Sequence, residues 1–259
     1  MASAVANLRA TNDGNKRFNQ EALSWDSRPF VNEASQAAEK AITAKTRSME
    51  WQPKQVLEIG CGTGIMSFLI APHVERVVAI DAAEGMIDVL KQKLQRDNAP
   101  KNILPIAVLL EDPEDPSLPP ADDSKPDGPR IKFDLITSHL VLHHIPDLKG
   151  VLKTMLGCLT PGGRIMLTDF EDFGPEAKRF HAQSKMEGVE RHGINAKQMT
   201  DLLREVGFVN VNVKPEWTMT KSVEKTSGEF GPEGKPQYDG QGEKMDFPFV
   251  ICYGEKGSQ

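Results

Sequence analysis

The chain has 259 residues, 39% hydrophobic and 26% charged, which suits one large globular unit, since single cores seldom grow past roughly 250 to 300 residues, and excludes wholesale disorder. A formal charge of −6 gives no general attraction to phosphate backbones, so no nucleic-acid partner is expected. Cys61, Cys158 and Cys252 are too scattered for a disulfide framework or a zinc site, no run reaches the roughly 18 apolar residues that span a bilayer, and the first residues lack the apolar core of a signal peptide; no membrane partner is expected, and the expected location is cytoplasmic with the nucleus left open.

Residues 1–16 read as a flexible tail and residues 17–49 as an N-terminal helical segment, with residues 50–259 forming the main domain. An Ala-rich helix is predicted over Val31 to Thr46, with Val31, Ala34, Ala38, Ala41 and Ile42 on one face. Ahead of it, Phe18, Trp25 and Phe30 either close on a bound molecule or anchor the helix to the core. Val56-Leu57-Glu58-Ile59 then reads as a buried strand running into Gly60-Cys61-Gly62-Thr63-Gly64 and an apolar helix from Ile65 to Ile70. Such a turn lets a backbone take strained angles, admits a ligand closely and aims the helix's free N–H groups at it. Cys61 fits there as a small filler. Glu58, at the carboxyl end of a parallel strand, would repel a pyrophosphate and suits a cationic ligand. Arg76 to Ile80 is a second strand, ending in Asp81 some twenty residues beyond the glycines. An acid at that spacing accepts hydrogen bonds from ribose hydroxyls, and it equally suits an N-cap before the next helix.

Taken together, Glu58-x-Gly60-x-Gly62-x-Gly64, Asp81 and Met86 resemble the class I S-adenosylmethionine-dependent methyltransferases. The resemblance implies an α/β fold with a doubly wound, mostly parallel seven-stranded sheet of Rossmann-like type, and S-adenosyl-L-methionine as cofactor. It sets the backbone from Gly60 through Cys61 and Gly62 to Gly64 beside the methionine moiety. Glu58 falls near the ammonium or orders the loop, Asp81 with Ala82 meets the ribose, and Met86 lies against the adenine. It also implies that the N-terminal segment is a lid, with Trp25 and Phe30 reaching the substrate.

A helix is predicted from Ala83 to Asp97, stopped by Asn98-Ala99-Pro100, and a third strand over Ile103 to Leu110. Here the family pattern breaks: the adenine-binding acid that usually follows this strand falls on Leu109 or Leu110, and Glu111 or Asp112 takes over only with a small shift. Pro113 to Arg130 is rich in proline and acid and reads as an exposed loop, its carboxylates solvated rather than gathered on a metal. Ile131 to Ser138 resumes the core. The following His139-Leu140-Val141-Leu142-His143-His144-Ile145-Pro146-Asp147 resembles the family's motif after strand four, which sets Ser138 and His139 near the sulfonium. The three histidines are expected to serve loop backbone rather than a metal, so no metal site is expected; His143 or His144 as a general base is the second choice.

A helix over Leu148 to Leu159 closes at Thr160-Pro161-Gly162-Gly163, and Arg164 to Phe170 is the fifth strand. Asp169, Phe170 and His181 are candidate substrate contacts at the rim. Gly188 to Ile194 resembles a substrate-cap segment, in which His192 is either a base or a helix cap. A helix from Ala196 to Val206 leads to a strand over Gly207 to Val213, a polar loop from about Ser222 to Lys244, and a last antiparallel strand over Phe247 to Tyr253. The resemblance extends to ubiquinone- and menaquinone-biosynthesis enzymes and implies methyl transfer to an O, N, S or C nucleophile of a small organic acceptor. The alternative is a non-catalytic or protein-directed subunit acting through a protein partner; a homo-oligomer is compatible with either. A nicotinamide oxidoreductase is disfavoured by Glu58 and by the glycine spacing.

Overall fold

The structure, a computed structural model, describes residues 15–258; all but the last two positions of the expected tail lie outside them. Helix α1 covers residues 15–25 and α2 Pro29–Ser48, which opens on a proline whose missing N–H costs a first turn nothing. The small buried residues Ala34 and Ala38 let α2 approach its neighbours closely. There follow β1 (Gln55–Ile59), α3 (Ile65–Ile70), β2 (Arg76–Asp81), α4 (Glu84–Leu94), β3 (Ile103–Ala107), β4 (Phe133–His139), α5 (Leu148–Cys158), β5 (Leu159–Phe170), α6 (Ala196–Val206), β6 (Val209–Val223) and β7 (Glu243–Glu255).

The strands form one sheet in the order β3-β2-β1-β4-β5-β7-β6, with β7 antiparallel to both neighbours and the first five parallel. Strand alternation assigns the two faces. Leu57, Val78, Ile136 and Ile165 pack with Leu152 and Met155 of α5 and Leu203 of α6, while Val56, Val77, Leu135 and Met166 pack with Ile42 of α2, Met66 of α3 and Leu90 of α4. Asp147 caps α5 by accepting the Gly150 N–H at 2.9 Å, and Asn195 caps α6 through the Gln198 N–H at 3.0 Å. Because the order reverses between β1 and β4, their carboxyl ends diverge and open a crevice, the place where such sheets bind ligands.

Several boundaries differ from expectation. Strand β3 ends at Ala107, since only the Val108 N–H continues the ladder, to Asp81 O. The turn Thr160 to Gly163 does not end the helix in isolation: Gly162 N–H donates to Lys256 O and Lys256 N–H to Gly163 O, so β5 starts at Leu159. Strands β6 and β7 run far past the expected Gly207–Val213 and Phe247–Tyr253 and pair from Val209↔Glu255 to Val223↔Glu243. The charges and proline of Lys214-Pro215-Glu216 mask the period-two pattern there, although Trp217 stacks on Phe249 with centroids 5.2 Å apart. Among the described residues no helix is long and apolar enough to cross a membrane.

Candidate active site

The glycine turn between β1 and α3 is built on left-handed backbone: Gly60, Gly62 and Gly64 have φ of +71°, +54° and +82°, angles that side chains disfavour. Two of these glycines also make room for neighbours. A Cβ on Gly60 would lie 2.5 Å from Val141, so the loop after β4 sits directly on it, and one on Gly64 would lie 2.5 Å from Leu90 of α4. Gly62 differs, since the nearest atom to its would-be Cβ is Trp25 Nε1 at 3.8 Å. Among the described residues, no other atom outside the turn lies within 4 Å of that position, so this glycine faces open space beside the end of α1.

Around the turn the polar groups are paired. The Gly60 and Cys61 N–H groups both donate to Ile80 O, the Gly62 N–H donates to Asp81 Oδ2 at 2.8 Å, and the Ala83 N–H to Asp81 Oδ1 at 2.8 Å. Asp81 therefore clamps the turn to the start of α4. It is not the N-cap, because α4 begins at Glu84 and Ala83 holds that position. Each carboxylate oxygen keeps a further lone pair for a hydroxyl. Burial raises the Asp81 pKa above the usual carboxylate value, against the two backbone bonds that lower it. Glu58 is 2% exposed and accepts a hydrogen bond from Ser67 of α3, tying β1 to α3 beneath the turn. Burial pushes its carboxyl up to about 8, with Asp81 adding to the rise and Ser67 and Lys93 opposing it.

Helix α1 lies over this turn. Ala22 packs with Ala83 and Met86 at the start of α4, flanked by Phe18, Trp25 and Val89, and Asn19 accepts the Gly85 N–H at 2.7 Å. Just beyond the helix, Asp26 accepts from the Thr63 hydroxyl and from Lys93 Nζ at 2.7 Å. The other face of α1 holds the segment before His192. Arg17 donates to the carbonyls of Lys185 and Glu187 at 2.8 and 2.9 Å, and Lys185 Nζ meets Glu21 at 2.7 Å.

On that side of α1 three histidines converge. His143, in the short 3-10 turn after β4, is 2% exposed and donates from Nδ1 to Asp169 at 2.8 Å, and its backbone N–H donates to the same carboxylate at 3.1 Å. His144 donates from Nδ1 to Gly188 O at 2.6 Å. His181 ends the 3-10 segment Pro175–Phe180, its ring centroid 5.0 Å from that of His143. Burial holds His144 and His181 well below the ordinary histidine range, so both rings are neutral at pH 7. Phe18 reaches across from α1 and meets Trp25 at 5.7 Å and His144 at 5.2 Å, both edge to face. It joins the two halves of the site. A cleft of about 910 Å³ bordered by Trp51 and Glu75 lies at the opposite, amino end of β1, away from these groups.

Residues 32–213 match the methyltransferase domain family. The chain belongs to that family. It is 30% identical over 215 residues to a malonyl-[acyl-carrier protein] O-methyltransferase of a Paenibacillus species, covering 76% of this chain and 71% of the relative. An uncharacterized methyltransferase of Schizosaccharomyces pombe is 27% identical over 61% of this chain and 54% of its own, and a ubiquinone biosynthesis O-methyltransferase of Coxiella burnetii 28% identical over 44% and 43%. This chain thus spans about half the length of several curated relatives. The N-methyltransferase NodS of Bradyrhizobium japonicum, solved with S-adenosylhomocysteine, superposes with a TM-score of 0.55 at 17% identity over 94% of this chain and 98% of that one, a likeness of fold. The sheet order found here is that of the class I methyltransferase fold, and a methyltransferase domain implies S-adenosylmethionine as its cofactor.

Within this methyltransferase domain several expected site residues occupy other environments than the sequence suggested. Phe170 is not a rim residue: it is fully buried and stacked on Phe180 at 3.9 Å. Asp169 is also fully buried and accepts from His143 and from the Phe170 N–H, so it positions a histidine rather than facing an acceptor. His192 is exposed and among the described residues has no hydrogen-bond partner; the bridge Glu171↔Ile194 and the tight Gly193 approach to the Glu171 backbone turn the chain so that it stands outside the cluster. Trp25 covers the glycine turn, and Phe30 packs edge-on to Phe180 at 5.7 Å. Leu110 is buried in the main core and Glu111 is exposed, so the position after β3 offers no buried acid. Ser138 donates to Ile59 O at 2.7 Å and His139 pairs with Thr168 at 2.8 Å, its pKa lowered by burial to about 4. Cys61 and Met86 are buried and Ala82 half-buried. Asp26, Thr63 and Lys93 are polar partners that sequence reasoning passed over.

Proposed function

We propose that this protein transfers a methyl group to a small organic acceptor bound between helix α1 and the histidine turn after β4. The observation that supports this most directly is Gly62, a left-handed glycine whose missing side chain leaves room beneath α1, with the Asp81 carboxylate accepting from its N–H. The residues present fit S-adenosylmethionine: the Gly60 to Gly64 backbone would hold its amino-acid part, Asp81 its ribose hydroxyls and Met86 its adenine side. When bound, that cofactor supplies a methyl group on a sulfonium whose departure needs no acid.

The chain's own contribution is then chiefly orientation and exclusion of water. Helix α1 does both, since it covers the turn through Ala22 and Trp25 and closes towards the acceptor side through Phe18. Asp169 accepts from His143 Nδ1 and so fixes the plane of that ring beside the space proposed for the acceptor. The relatives named as O-methyltransferases support an oxygen nucleophile.

Calorimetric titration of the protein with S-adenosylmethionine and, separately, NAD tests the cofactor: saturable binding of the first and none of the second is expected, and absence of binding by the first overturns the proposal. Label from a methyl-tritiated cofactor should then appear in a panel of small phenols, amines and carboxylic acids. Label confined to added proteins would overturn the small-acceptor reading.

A further inference from the structure

We propose that His143, His144 and His181 form a binding site for a zinc-type transition-metal dication, a site distinct from the groups that hold the cofactor. One ring nitrogen of each lies within 4.8 Å of the others. The hydrogen bonds fix which nitrogens are available. The Asp169 carboxylate and the Gly188 carbonyl are acceptors only, so both Nδ1 atoms carry hydrogen, which leaves Nε2 of each ring as the nitrogen that can ligate. His143 Nε2 and His181 Nδ1 are buried without any hydrogen-bond partner. Two orphaned imidazole nitrogens beside a third are costly to leave so, and a single ion that accepts all three lone pairs removes the cost.

The surroundings have the form that imidazole metal sites take. A ligating histidine ordinarily donates its other N–H to a carboxylate or a backbone carbonyl, which sets the tautomer and the ring plane. His143 has the first kind of partner and His144 the second. Three neutral imidazoles with a position left open suit zinc and its neighbours rather than magnesium or calcium, which prefer oxygen. Bonds of about 2.0 Å in tetrahedral geometry hold ligand nitrogens about 3.3 Å apart, so the rings must draw together by up to roughly 1.5 Å. His181 can supply that movement, because it sits on a separate 3-10 segment rather than on β4 or β5.

Nearby cations oppose a bare dication, but their donors are directed elsewhere: Arg17 to Lys185 O and Glu187 O, Arg191 to Leu142 O and Pro146 O, and Lys221 to Phe180 O. Their field, with Asp169 as the buried carboxylate hydrogen-bonded to the cluster, favours an ion whose fourth ligand is an anionic oxygen. The sequence expectation of no metal failed to include His181, which the 3-10 segment after β5 brings to the other two.

The test uses the full chain stripped with a chelator and titrated with zinc chloride by calorimetry, with zinc-edge absorption spectroscopy on the loaded wild-type protein. One equivalent should bind, with three imidazole nitrogens in the first shell at about 2.0 Å. His181→Ala should weaken binding about tenfold or more, and His192→Ala, which removes an exposed histidine outside the cluster, should not. S-adenosylhomocysteine binding by each variant reports that it is folded. No saturable zinc binding, a first shell of oxygen only, or equal losses in the two variants would overturn the site. A His181→Ala protein that fails to fold leaves the wild-type spectrum to decide. Because the readout is bound metal, the outcome is independent of whether methyl transfer is found.

Discussion

Glu58 makes the clearest test of the site's electrostatics. Its carboxyl is buried under the glycine turn with Ser67 as its hydrogen-bond donor, and its pKa stands at about 8 against an ordinary 4.5. Between those values the folded protein keeps the proton while the unfolded chain has lost it. The unfolded state then binds fewer protons, so stability falls as pH rises from about 4.5 to about 8 and is level above that. At 1.36 kcal/mol per pH unit the full fall is roughly 5 kcal/mol, an upper figure because native-state relaxation reduces it. Glu58→Gln keeps an oxygen for the Ser67 hydroxyl and removes the titration. Urea unfolding of both cofactor-free proteins at pH 5 and at pH 8.5 should therefore show similar stabilities at the lower pH and a variant more stable by a few kcal/mol at the higher. Titrating groups that do not interact with Glu58 cancel in that double difference. A stability difference that is the same at both pH values would refute the reasoning, since it would mean that Glu58 ionises in the fold as it does in water.

Two further substitutions separate the functions of the turn. Asp81→Ala removes the acceptor of the Gly62 and Ala83 N–H groups, each bond to a charged acceptor contributing about 1.5 to 3 kcal/mol; the melting temperature should fall and S-adenosylhomocysteine affinity should drop by roughly tenfold to a hundredfold in calorimetry, and an unchanged affinity would remove Asp81 from the binding site. Asp26→Ala releases Thr63 and Lys93, a partly exposed contact that contributes about 1 kcal/mol or less to global stability. Its effect should instead be local, as faster hydrogen exchange in residues 15–25 at nearly constant unfolding midpoint; unaltered exchange would show that the helix's other contacts, through Arg17, Asn19, Glu21 and Ala22, hold it without Asp26.

What the sequence made legible is what neighbours along the chain decide. The glycine turn, Asp81 at the end of β2 and the alternation of strands and helices are short-range patterns, and the sheet follows from them because parallel strands joined by helices have few ways to assemble. The strands Val209–Val223 and Glu243–Glu255 were legible only at their ends, since the exposed middle of β6 carries charges and a proline that pairing with β7 tolerates. Asp169 read as a rim acid because its position, the end of a core strand, is where such acids face a ligand. Whether it faces outward or inward depends on His143, which lies on another loop.

Helix α1 shows the same limit from the other side. Phe18, Ala22 and Trp25 recur at the spacing of one helical face, and Arg17 and Glu21 lie on another. The faces are therefore readable, but the destinations are not. One face meets Ala83 and Met86 and the other meets Lys185 and Glu187, two surfaces separated by most of the fold and adjacent only because β1 and β4 part at the reversal of strand order. A helix with an apolar and a charged face needs two dissimilar surfaces at a right distance from each other. The crevice supplies them, so the segment expected as a lid contributes to both walls of the candidate site.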